Sequence, residues 1–172
     1  MDIGVCVASH VGDIDYVVRA EELGYSHAWL ADSQMLWSDC YAALALVADR
    51  TSTINIGTGV SVSGTRPAPV TAASIATINA LAPGRTFLGL GTGNTAMRIM
   101  GNKPQKIAEF DDYLETLKPL LRGEEANHSF GGQVRPIRHI MPDKGFVNFD
   151  DEIPVSYTHL RAHETLRYLV CR

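Results

Sequence analysis

Four short polar segments carry the side chains best able to do chemistry, and each follows an apolar run. Ser9-His10 follows Ile3–Ala8, and Asp32-Ser33 follows His27–Ala31. Ser61 follows the glycine-interrupted run Ile54–Val60, and Gly91-Thr92-Gly93-Asn94 follows Thr86–Leu90. A carboxylate placed as Asp32 is can accept from a ligand hydroxyl or N–H, or it can cap a helix; both readings stand at this point. His10 is the one histidine at such a position. Its imidazole titrates near neutrality and can carry a proton, or it can simply face solvent. The cluster Gly89-Leu-Gly-Thr-Gly93 permits close approach to a backbone, but it is not G-x-G-x-x-G and has no GK[ST]. Trp37 reads equally as an aromatic lying over the strand-end site and as a lid or core aromatic. Cys6 alternates with Val5 and Val7 and reads as a buried small hydrophobe. Cys40, at a helix start, reads as core, as do Met97, Ile99 and Met100. No metal site is expected. His159 and His163 have the i, i+4 spacing of a metal pair but fall in an anomalous stretch described below.

The elements that must position these residues alternate regularly. Asp13 is a candidate N-cap for a helix through Ile14, Val17 and Val18, with Gly24 just past its end. The spacing predicts helices over Tyr41–Ala48, from Pro69 at the first helical position through Ile75 and Ile78 to Leu81, and over 107–121. Phe110, Leu114, Leu117 and Leu121 share one face of the last. Strands are predicted over 3–8, 27–31, 54–60 and 86–90. Repeated β-α spacing means parallel strands joined by crossover helices. The competing architectures are a doubly wound sheet and a (β/α)8 barrel. A doubly wound dinucleotide fold wants its glycines in the first βα turn, and Ser9-His-Val-Gly-Asp13 does not supply them. From Arg122 to Asp150 the texture changes to loops or short strands around Gly131-Gly132, and Asp151–Val155 leads into a fifth buried strand.

Five runs in order resemble the bacterial luciferase-like family. They are Ala20–Asp32, Thr53–Val60 with Arg66-Pro-Ala-Pro69, Leu81–Asn94, Gly101-Asn-Lys-Pro104 and Leu120-Leu-Arg-Gly-Glu124. The resemblance covers roughly residues 3–155 and is nearest the methylenetetrahydromethanopterin reductase-like branch. It implies the N-terminal half of a (β/α)8 TIM barrel, in which chemistry sits at the C-terminal ends of the strands. It further implies an oxidoreductase using coenzyme F420, with FMN as the alternative, for hydride transfer or monooxygenation of a small organic substrate. The full-length protein would be a homo-oligomer. Asp32 then meets the coenzyme, and His10 is the remaining proton-carrying candidate. Trp37, Gly59, Val60, Ser61, Gly91, Thr92, Gly93 and Asn94 line the ring site, and Gly59-Val60 marks the place of a strand bulge. A flat ring wants such a shape: an apolar floor, close backbone and a few edge donors. Two departures count against sugar-phosphate oxidation. Ser33 stands where that branch has His, and Asn94 stands where it has Glu; an amide cannot carry a proton.

A full barrel takes ~250 residues, and this chain has 172. Residues 1–155 therefore read as a partial barrel domain. From about residue 156 to 172, Val155-Ser-Tyr-Thr-His-Leu-Arg-Ala-His-Glu departs from the family pattern and reads as translated adapter sequence. The expectation is a truncated chain that is inactive alone. The competing expectations are a non-catalytic half-barrel serving as a binding or assembly partner, and a small complete doubly wound protein. Composition excludes other classes. Hydrophobic residues at 45% and charged residues at 20% argue against disorder. A net charge of −4 gives no electrostatic basis for binding nucleic acid or an anionic membrane. No apolar run reaches the ~20 residues of a membrane span. Three cysteines without metal spacing fit a reducing cytoplasm.

Overall fold

The computed structural model of the chain describes residues 2–157. In chain order the elements are β1 (Gly4–Ala8), α1 (Asp15–Glu22), β2 (His27–Ala31), α2 (Cys40–Arg50), β3 (Asn55–Val62), α3 (Ala68–Leu81) and β4 (Thr86–Gly91). They continue with α4 (Thr95–Ile99), α5 (Ile107–Leu121), β5 (Ala126–Phe130), β6 (Gln133–Ile137) and β7 (Val155–Tyr157). Five strands form a parallel sheet in the order β1-β2-β3-β4-β7, and β5 and β6 form a separate antiparallel hairpin around Gly131-Gly132. Strand order follows chain order, as in a segment of a barrel. A doubly wound sheet would place the first strand internally and cover both faces with helices.

One face of this sheet is covered. Leu30, Ile56, Leu88 and Leu90 pack with Leu44, Val47, Ile75, Phe110 and Leu117 of the helices, and all are nearly inaccessible. Each such burial contributes about 1.5–3 kcal/mol. The opposite phase of each strand faces away from the helices. There His27, Trp29 and Phe87 form a ring cluster with centroids 5.5–5.9 Å apart.

Polar clamps hold the loops that deliver the strands. The Glu21 carboxylate accepts from the N–H groups of Ser52, Thr53 and Ile54 at 2.6–2.9 Å. From the other side Arg85 donates to the carbonyls of Ile54 (2.8 Å) and Thr51 (2.9 Å). Asn79 and Asn148 exchange amide-to-carbonyl bonds at 3.1 and 3.2 Å, tying the loop before β7 to α3. Ile153 thereby enters the core, and the Pro154 carbonyl accepts from Leu88 N–H.

Several elements differ from the sequence reading. Cys6 is exposed rather than buried, because alternation puts Val5 and Val7 toward the helices and Cys6 on the open face opposite Trp29. Asp13 is not a cap: α1 begins two residues later, with Ile14 at the N-cap position and no side-chain cap. The α3 helix starts at Ala68 rather than Pro69, and β3 runs on to Val62 through a register shift between Thr58 and Ser61. The five-residue α4 helix is an addition to the elements expected from sequence. Of the three residues around it expected in the core, Met97 is buried with Val62 and Ala96, whereas Ile99 and Met100 are substantially exposed. At the far end, Ser156 and Tyr157 pair with Gly89 and Leu90, so the strand continues two residues past the domain boundary drawn at 155. The rest of the adapter-like stretch, with His159 and His163, lies outside the described residues.

Candidate active site at the strand ends

The C-terminal ends of β1 to β4 gather at one end of the sheet. Asp32 directly follows β2, and its side chain is 2% exposed. Its Oδ1 accepts from Gln34 Nε2 at 2.7 Å. Its Oδ2 accepts from Arg66 Nη1 at 2.5 Å, from Val62 N–H at 3.3 Å and from Ser61 Oγ at 3.5 Å. Arg66 also donates through Nη2 to Asp39 Oδ2 at 2.7 Å. Asp39 caps α2 by accepting from the N–H groups of Tyr41 and Ala42. The guanidinium lies 5.0 Å from the Tyr41 ring centre, and the Tyr41 hydroxyl is hydrogen-bonded to Ser61 Oγ at 2.9 Å.

The electrostatics follow from these contacts. Burial acts to lower the Arg66 pKa, but the two carboxylates outweigh it and hold the guanidinium above its ordinary value. Burial acts to raise Asp39, and the Ala42 N–H and Arg66 more than reverse it, so its carboxyl sits below the usual range. Burial pushes the Tyr41 hydroxyl and the Cys40 thiol well up, which favours the protonated form of both at neutral pH.

Close packing between strand ends adjoins this network. The Gly59–Val60 peptide bond is cis, at the register shift in β3. The Val60 side chain is 41% exposed and lies over β4, where a Cβ on Gly91 would come within 2.8 Å of it. A Cβ on Gly59 would meet Trp29, and one on Gly93 would meet Val62 and Met97. Gly93 takes a positive φ of 74°, which suits it to the turn from β4 into α4. The Thr92 carbonyl accepts from Gln105 N–H at 3.2 Å, and the Gln105 side chain accepts from Ser63 Oγ. Asn94 stands at the head of α4 and accepts from Arg98 Nε at 2.6 Å.

The structure thus brings Asp32, Gly59, Val60, Ser61, Gly91, Thr92, Gly93 and Asn94 to adjoining strand ends. His10 is exposed on the loop after β1. Trp37, 40% exposed, sits on the turn after β2, its backbone N–H donating to the Ser33 carbonyl at 3.1 Å. Gln34, Asp39, Tyr41 and Arg66 were not among the sequence candidates. For Arg66 the available signal was a lone cation beside prolines, shortly after a strand that ends in polar residues. Among the described residues no cluster of three or more His, Cys, Asp or Glu could hold a metal, and no helix is long and apolar enough to cross a membrane.

The sequence profile of the luciferase-like monooxygenase family matches residues 12–156. The chain belongs to that family. It is 34% identical over 112 residues to 5,10-methylenetetrahydromethanopterin reductase of Methanolobus tindarius, covering 64% of this chain and 34% of that protein. It is also 34% identical over 124 residues to the F420-dependent hydroxymycolic acid dehydrogenase of Mycobacterium tuberculosis, with the same coverage of each. Among solved structures, it resembles the oxygenating constituent of 3,6-diketocamphane monooxygenase of Pseudomonas putida, determined with FMN. The TM-score is 0.70 at 16% identity, covering 91% of this chain and 51% of that one. The chain therefore spans about a third of the length of these curated relatives and about half of the solved structure. Together with the strand order, this places the fold as part of a TIM barrel.

Proposed function

We propose that the strand ends hold the ring of a redox cofactor, coenzyme F420 in preference to FMN, in an oxidoreductase acting on a small organic substrate. The observation that carries the reading is an exposed apolar surface at the strand ends: Val60, 41% exposed, packs so closely on Gly91 that a Cβ there would meet its Cγ2 at 2.8 Å. A tricyclic ring needs such an apolar surface, with donors and acceptors confined to its edge. Thr92 and Asn94 supply such groups around it, whereas Ser61 is fully buried with its hydroxyl bonded to Tyr41 and supports the site from beneath. The preference for F420 rests on the relatives, one of them F420-dependent by name and the other a methylenetetrahydromethanopterin reductase. When bound, such a cofactor supplies hydride transfer.

The chain's own residues orient the ring and exclude water from its floor. His10, exposed at the first strand end, is the residue proposed to move a proton to or from the substrate. The Asn94 amide holds an edge group without carrying a proton. Residues 1–155 are proposed as the ring-binding half of the barrel, which alone binds weakly and does not turn over.

Fluorescence titration of the purified chain with F420 and with FMN tests this. The expected result is saturable binding weaker than micromolar, tighter for F420 than for FMN. Absence of saturable binding to either would favour the non-catalytic role of a binding or assembly partner.

A further inference from the structure

We infer that Arg66 is a positioning residue for the ring platform, acting through Asp32; this rests on the reading of the strand ends as a ring site. The contacts form a closed circuit. Arg66 Nη1 donates to Asp32, and Asp32 Oδ2 accepts from the Val62 N–H and faces the Ser61 hydroxyl. Ser61 is hydrogen-bonded to Tyr41, and the Tyr41 ring lies against the Arg66 guanidinium. Nη2 extends the circuit to Asp39 at the head of α2. The circuit joins the end of β2, the start of α2 and the end of β3.

What it holds is specific. Ser61 and Val62 are the two residues directly after Val60, and Ser61 is where β3 resumes pairing with β4 after the register shift. Val60 forms the platform with Gly91. Arg66 therefore touches no part of the platform itself, yet fixes the backbone that carries it. Its planar fork meets two carboxylates with two nitrogens, which a lysine ammonium at one point cannot reproduce. Both oxygens of Asp32 are also engaged, one by Gln34 and one by Arg66. Asp32 is thereby an anchor in this circuit and not a proton carrier.

The test compares the unaltered chain with Arg66→Lys, Arg66→Met and Asn148→Ala. Asn148→Ala lowers stability from a loop outside the site and so serves as a stability control. Affinity for F420 and FMN is read by fluorescence titration, and the visible absorption of the bound ring is recorded, both well below each variant's unfolding midpoint. The expected result is at least tenfold weaker binding per folded molecule and an altered ring spectrum for both Arg66 variants. Asn148→Ala should stay within twofold of the unaltered chain. An Arg66→Met chain that binds within twofold, with an unchanged spectrum, overturns the inference while leaving the cofactor reading in place. An unaltered chain that binds neither ring overturns the cofactor reading and this inference with it. Recovery of full affinity in Arg66→Lys overturns the two-carboxylate geometry as the cause.

Discussion

Val60 of β3 lies directly over Gly91 of β4: a Cβ built on Gly91 would approach Val60 Cγ2 to 2.8 Å. Two residues earlier in the same strand, a Cβ on Gly89 would meet the Thr58 carbonyl oxygen at 2.3 Å. The two glycines thus answer to different neighbours, one a side chain in the open mouth and the other a buried backbone.

Alanine at the two positions should separate binding from folding. Gly89→Ala forces β3 and β4 apart at a buried ladder and should cost about 1–3 kcal/mol. Gly91→Ala displaces only Val60 and should leave the unfolding midpoint nearly unchanged while weakening ring binding. Thermal unfolding and F420 titration on the same two proteins check this. Equal loss of stability in both variants would contradict the assignment.

Glu21 sets a pH-dependent part of the stability. Burial acts to raise its pKa, but the N–H groups of Ile54, Thr53 and Ser52 outweigh that and bring it from 4.5 to about 2. A depressed native pKa contributes stability that is fully present above the unfolded value of 4.5 and is lost as pH falls toward 2. After discounting for solvent screening this is worth about 1–2 kcal/mol. Glu21→Gln should lower Tm at pH 7 by roughly 2–8 °C. It should also flatten the acid limb of stability between pH 5 and 2, as measured by urea unfolding across that range.

The parallel order was legible because apolar runs recur at Ile3, His27, Ile54 and Thr86 with helix-length gaps between them. The α5 helix matches its predicted span, 107–121, because Phe110, Leu114, Leu117 and Leu121 already mark one face. The Arg66 circuit was not legible. Its partners, Asp32 and Asp39, lie 34 and 27 residues away, and nothing local shows that three elements will meet there. Cys6 shows a second limit: alternation tells which neighbours point opposite ways, but not which of the two faces will be covered.

Asp39 does two jobs that different substitutions separate. Its Oδ1 caps α2 and its Oδ2 pairs with Arg66. Asparagine keeps an oxygen for the cap and loses the charge, whereas alanine loses both. The pair is half-exposed on the Asp39 side, so Asp39→Asn should cost no more than about 1 kcal/mol. Asp39→Ala should cost about 1 kcal/mol beyond that for the cap. Because the Asp39 carboxyl is held below its ordinary 3.8, its charge-dependent contribution is complete above that value and fades as pH falls below it. Denaturant midpoints of the two variants at pH 7 and pH 3 check this. The difference between Asp39→Asn and the unaltered chain should shrink at the lower pH.

The two cysteines of the described region report on the open face of the sheet. Cys6 is exposed there, beside Trp29 in the adjoining strand, while Cys40, the first residue of α2, is fully buried. Burial also pushes the Cys40 thiol well above its ordinary range, so little thiolate forms at neutral pH. In a chain carrying Cys171→Ser, a thiol reagent at pH 8 should label Cys6 in the native protein and reach Cys40 only on unfolding. Peptide mapping after brief labelling identifies the sites. Adding denaturant should then raise the stoichiometry from one thiol to two, along the same transition that circular dichroism follows. Protection of Cys6 in the native chain would mean that the face carrying His27, Trp29 and Phe87 is covered, and sedimentation of the same sample would show whether a second copy covers it. Native labelling of Cys40 would instead place the start of α2 outside the core and remove the base on which Asp39 and Arg66 stand.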